Sequence, residues 1–223
     1  MRFLRQNALS LFFGALLLAC LLGQSFAGQH QFNADAVEHH AQTYSWFRYV
    51  TSSEFAGDVL ENWQSEFLQF ALFILATVWL VQRGSSESKS EEEPGLMTDR
   101  SQLVRGYAKS ASPSWASADG LKRRLYENSL MLAMVFCFFG SWVGQSVNGW
   151  RAFNNERADH DSAAIGYGDY LVNADFWDRS LQNWQSEFLA IGCMAVFTVY
   201  LRQRGSPESK PVGAPHDETG VSN

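Results

Sequence analysis

The residues best suited to chemistry are two carboxylates, Glu66 and Glu187, each inside the same seven-residue run, Asn-Trp-Gln-Ser-Glu-Phe-Leu, at 62–68 and again at 183–189. An apolar stretch follows directly in both places, so each acid stands at the mouth of a hydrophobic segment. On a helix turning about 100° per residue, Asn62 lies about 40° from Glu66 and Thr77 about 20°. Asn183, Glu187 and Thr198 repeat that face. Desolvated together, two such carboxylates would hold a cation or a proton. The simpler reading is structural: Asn62 or the following Ser65 caps a helix, Glu66 lies near its positive end, and Trp63 anchors an interface.

The elements that must position these residues are apolar. The chain is 46% apolar and 14% aromatic, yet its mean hydropathy is only −0.18, so the apolar residues are gathered in blocks. Four blocks, roughly 9–26, 67–81, 130–147 and 188–201, contain no Asp, Glu, Lys, Arg or His. A membrane crossing needs about 20 residues for about 30 Å of hydrocarbon. With their flanks, the blocks predict transmembrane helices at 8–26, 63–82, 129–147 and 184–203, with external loops at 27–62 and 148–183. Apolarity on every face disfavours the alternative of a soluble four-helix core. Of 17 Lys and Arg, all but Arg48, Arg151, Arg157 and Arg179 fall at the termini or between the second and third blocks. By the positive-inside rule the two ends and the middle segment are cytoplasmic. The net charge of −6 therefore says little about partners, and nothing points to nucleic acid. Arg2, Arg5, an apolar run and Ser-Phe-Ala-Gly imitate a secretory signal cut after Ala27. The same pattern recurs at 123–130, where no signal acts, which favours a retained helix.

Sliding the chain by 121 residues aligns 2–89 with 123–210, and about 32 of the 88 positions agree. Each unit, 1–89 and 122–210, reads as a helical hairpin ending in Gln-Arg-Gly-Ser-x-Glu-Ser-Lys. Two crossings per unit put both copies in the same sense, related by a pseudo-twofold axis along the membrane normal. The polar segment 90–121 reads as a flexible linker, and 211–223 as a tail without structure.

The first helix of each unit ends in Gly-Gln-Ser, at 23–25 and 144–146. Hairpin packing would let Gln24 and Gln145 donate to the carboxylates beside Ser25 and Ser146, with the glycines permitting close approach. In the loops, Glu38-His39 aligns with Asp159-His160, a donor set suited to Zn²⁺ or Cu²⁺, although no recognised metal motif is present. A solvated loop is the plainer reading. The loop aromatics, with caps at Ser52 or Ser53 and at Asn173, suggest short amphipathic helices on the outer surface. The apolar blocks lack histidine, which excludes a bis-His haem within the bundle, and no cofactor is expected.

"RFLRQNALSL", "ENWQSEFLQ", "YENSL" and "LRQRGSPESK" together resemble a family of small bacterial integral membrane proteins defined only as a domain of unknown function. The resemblance covers nearly the whole chain outside the linker and tail. It implies a bacterial inner membrane location and brings no activity. The sequence thus predicts an all-α, non-enzymatic membrane protein with a structural or assembly role. Its partners would be the lipid bilayer and either a second copy or another membrane protein. The alternatives are a small ion- or proton-coupled transporter using Glu66 and Glu187, and an envelope metal-binding protein using the loops.

Overall fold

The computed structural model describes residues 2–220. It is helical, with no strand among the described residues. The chain is built from α1 (Arg2–Gln6), α2 (Ala8–Glu38), α3 (Trp46–Val50), α4 (Ser53–Trp79), α5 (Leu121–Glu127), α6 (Ser129–Asp159), α7 (Tyr167–Leu171) and α8 (Ala174–Tyr200). Elements α5 to α8 begin and end 121 residues after α2's predecessor α1, in part, and then α2, α3 and α4 in full; the offset is strict from α2 and α6 onward. Asn7 and Asn128 mark the matching breaks before α2 and α6, where their side-chain amides donate to Phe3 O and Arg124 O.

Two helices, α2 and α6, are long and apolar enough to cross a membrane by length and composition, not the four expected. The reason lies in where the other two begin and end. Both α4 and α8 stop at Trp79 and Tyr200, three residues short of the expected spans. The uncharged part of α4, 67–79, is about 20 Å long, less than a hydrocarbon core, and Gln69 lies within it. Its C-terminal carbonyl at Val78 is taken by the amide of Gly95 at 2.7 Å. At the end of α8, the Arg202 guanidinium takes the carbonyls of Thr198, Val199 and Leu201 at 2.8 to 3.2 Å. These contacts satisfy groups that a helix end leaves open.

The expected external loops are also mostly helix. α2 and α6 continue twelve residues past 26 and 147, and at 31 residues each is about 46 Å long. The expected surface helices are not separate elements: α4 and α8 start at the caps read from sequence and run unbroken through the repeated motif. Ser52 Oγ accepts from Phe55 N at 3.3 Å, and Asn173 Oδ1 accepts from Asp175 N at 2.9 Å.

The chain divides into two compact units, one of residues 1–60 with 143–177, the other of 61–142 with 178–223. In the first, side chains on α2 and α6 hold the short helices down. Asn33 exchanges two hydrogen bonds with the Tyr44 backbone, at 2.9 and 2.7 Å. Asn154 does the same with Ile165, at 3.1 and 2.9 Å. Buried Tyr49 and Tyr170 then lie against Gly28 and Gly149, where a Cβ would strike the phenol oxygen. Tyr170 is fixed by Phe153, Phe176 and a 3.0 Å hydrogen bond from its hydroxyl to Asp175, so it has little room to yield.

In the second unit the enclosed residues include Gln64, Ser65, Ser85, Ser180 and Thr198, while leucines and phenylalanines such as Leu75, Phe136 and Phe197 face outward. The apolar window of α2, in the first unit, is only 6% buried. The segment 211–220, to which the sequence assigns no structure, is tied down in this unit. Gly220 N donates to Ser85 O at 3.0 Å, and Gly84 N donates to Thr219 Oγ1 at 2.8 Å. The last three residues of the tail lie outside the described residues.

A Gly149→Val substitution is expected to lower stability by about 1–3 kcal/mol through overpacking against Tyr170. Thermal unfolding in detergent checks this, with Gly168→Ala, where nothing lies within 4 Å, as the control.

Candidate functional site

Glu66 and Glu187 both fall in the second unit, on α4 and α8, and they meet there. One amide joins them. With its nitrogen turned toward the acids, Gln69 donates to Glu187 Oε2 at 2.8 Å and to Glu66 Oε2 at 3.3 Å. The hydrogen-bond pattern favours that orientation, because the amide oxygen would otherwise face only acceptors.

The rest of the repeated motif forms rungs between the same two helices. Trp184 Nε1 donates to Gln64 Oε1 at 2.8 Å, and Asn183 Nδ2 donates to Glu61 Oε1 at 2.8 Å. Arg179 reaches Glu61 Oε2 at 3.4 Å. Trp184 also lies against Trp142 and Phe138, and Trp142 Nε1 donates to Ser180 Oγ at 3.4 Å. A buried amide, indole and hydroxyl are thus used to join helices rather than to line an open chamber.

The other expected site residues go elsewhere. Asn62 offers its carbonyl to the Ser65 hydroxyl at 2.8 Å. Thr77 turns back onto Phe73 O and Ile74 O within its own helix. Thr198 shares a buried 2.9 Å hydrogen bond with Ser85, in the first Gln-Arg-Gly-Ser turn. Gln24, Ser25, Gln145 and Ser146 belong to the first unit. There Trp46 Nε1 donates to Ser25 Oγ at 3.0 Å, and Ser146 pairs with the Tyr167 hydroxyl at 2.7 Å. The expectation that Gln145 donates to a carboxylate is corrected: it is buried, and neither its oxygen nor its nitrogen has a partner. Because α4 already begins at Ser53, the stretch around Gly144 packs on Leu60, where a Cβ would approach Cδ1 to 2.7 Å. Glu38 and Asp159 end α2 and α6, and the rings of His39 and His160 lie 5.7 Å apart. No group of three His, Cys, Asp or Glu residues suited to a metal ion occurs among the described residues.

The repeated Gln-Arg-Gly-Ser-x-Glu-Ser-Lys segments are built turns. Gly84 and Gly205 take φ of 84° and 81°, a conformation open to glycine. Ser88 and Ser209 each accept from the backbone nitrogen six residues back, at 2.9 Å. Lys89 then caps Gly95 O, while Lys210, wholly enclosed, donates to the carbonyls of Pro215, His216 and Glu218 at 3.0 Å each. Burial pushes the Lys210 pKa down and Arg202 adds to this, while Glu218 and Asp217 oppose it. The ammonium explains why the tail is ordered: buried away from water, it needs those three carbonyls.

Beside these turns, Glu87 and Glu208 meet. Burial, then the Glu208 charge, then a hydrogen bond between the two acids push the Glu87 carboxyl above its usual 4.5. A cavity of about 530 Å³ with Glu87, Lys89, Glu93 and Thr219 among its walls opens here.

Gln69 and Lys210 were not singled out by sequence reasoning. Gln69 stands three residues past Glu66, on its face of α4, and its counterpart is Ala190. A polar residue present in one copy and absent from the other was the available signal. For Lys210 the signal was the eight-residue turn occurring in both copies.

These features define an all-helical chain with two helices fit to cross a membrane and a polar seam between two further helices. The chain belongs to the family described as a domain of unknown function, DUF6766, whose model matches residues 1–221. No curated protein and no solved structure matches it.

Two outcomes are expected from substitutions here. Gln69→Leu, which leaves the facing carboxylates without their shared donor, should cost about 1–3 kcal/mol in thermal unfolding. For Glu87 the folded pKa is raised, so its contribution to stability is present below 4.5 and is lost as pH rises through the folded value. Glu87→Gln should therefore flatten the dependence of melting temperature on pH in that window and raise the melting temperature at neutral pH.

Proposed function

We propose that this is a non-enzymatic integral membrane protein of structural or assembly role, in which the twin Asn-Trp-Gln-Ser-Glu-Phe motifs lock helices together. The supporting observation is the ladder between α4 and α8, in which Gln64 meets Trp184, Glu61 meets Asn183 and Gln69 spans both acids. In a bilayer the apolar surface gains little from helix association, so close packing and interhelical hydrogen bonds carry it. A chain that encloses Gln and Ser while exposing Leu and Phe suits that solvent.

In this reading each repeat, 1–89 and 122–210, is a hairpin. α2 and α6 serve as full spans, α4 and α8 return with their shorter apolar halves, and the pair follows a pseudo-twofold axis along the membrane normal. Basic residues place both termini and 90–121 in the cytoplasm of a bacterial cell, with the His39 and His160 ends outside. The partner would be a second copy or another membrane protein.

The second reading, cation or proton transport, rests on Glu66 and Glu187 sharing Gln69. Proteoliposome flux separates the two. The structural reading expects no cation or proton flux from the parent, retained insertion of the Glu66→Gln, Glu187→Gln double variant, and a loss of about 1–2 kcal/mol for Gln64→Leu with Trp184→Phe. Flux in the parent that the folded double variant lacks would replace it with the transport reading.

A further inference from the structure

We infer that His39 and His160 form a transition-metal site joining the ends of the two long helices. Each histidine directly follows its helix, His39 after Glu38 and His160 after Asp159. Both are exposed, and their rings lie 5.7 Å apart at 78°. Two imidazoles that bind one ion through a nitrogen at about 2.1 Å bring their ring centres to roughly 5–6 Å. The observed separation of ring centres falls in the range of a shared ligand pair.

The surroundings favour a cation. A helix C-terminus carries partial negative charge, and here two such termini converge within one unit. Immediately after each histidine the chain turns through a left-handed residue, His40 at φ 57° and Asp161 at φ 53°, and both imidazoles stay accessible. Imidazole suits Zn²⁺ and Cu²⁺. Because no third His, Cys, Asp or Glu is gathered with them among the described residues, the ion keeps water in its remaining positions. That makes an open, exchangeable site instead of a closed structural one.

The competing explanation is a plain edge-to-face contact between two rings. Equilibrium dialysis against Zn²⁺ decides, using the full chain in detergent, purified without a histidine tag or chelator. The expected result is one ion per chain, weakened on the order of tenfold or more by either His39→Ala or His160→Ala and abolished by both. His30→Ala and His40→Ala should bind as the parent does. Zn²⁺ should also protect the unmodified parent's His39 and His160, and not His30, from diethylpyrocarbonate, which needs no variant to fold. A parent that binds no Zn²⁺, binding that survives the double substitution, equal loss in His40→Ala, or absence of selective protection overturns the site.

Discussion

The rest of the structure depends on one constraint: the hydrogen bonds that hold α4 to α8 are made by enclosed polar groups, while many leucines and phenylalanines of these helices are turned outward. In water this arrangement would waste the main driving force for folding, since burial of apolar surface supplies it. In the proposed bilayer it does not, because lipid chains are as apolar as leucine. The enclosed Gln64, Ser65, Ser180 and Thr198 then become the specific part of the fold. Each hydrogen bond is worth little singly, but an unmade one in hydrocarbon is expensive, which selects one register of the two helices.

Each of the two units solves the neighbouring problem, how to finish helices whose last carbonyls are open. In the first, Asn33 and Asn154 reach from the long helices to pin the segments carrying Tyr44 and Ile165. In the second, serine hydroxyls, glycines in the left-handed region and a lysine fold the chain back after Trp79 and Tyr200. The copies diverge where they close. Lys89 finds one carbonyl, whereas Lys210 collects three from the following chain. A buried ammonium with fewer acceptors would be untenable, so the tail is ordered by the charge it covers.

Helix content, the 121-residue spacing of elements and the caps at Ser52 and Asn173 were legible in the sequence, because they follow from local rules that act on short windows. Glu66, expected near a helix start capped by Asn62 or Ser65, instead lies inside α4 because that helix already begins at Ser53. The boundary of the hydrophobic layer was less legible. Residues 27–38 are polar, so they read as loop, yet they stay helical because Gln29 and Asn33 are engaged by the Tyr44 backbone and Gly28 admits Tyr49. The four equal spans failed for a related reason. Hydropathy marked where α4 and α8 are apolar, whereas Gly95 and Arg202, which cap the carbonyls near their ends, lie outside the repeat's shared residues.

The asymmetry at Gln69 shows why a duplicated motif need not make a symmetric site. Two identical helices facing one another bring two identical carboxylates together, an arrangement that repels itself when both are ionised. One glutamine against one alanine gives a single amide that can face both carboxylates, with Ala190 at the matching place on α8. Divergence at that one position therefore turns a repeated liability into an interhelical bond.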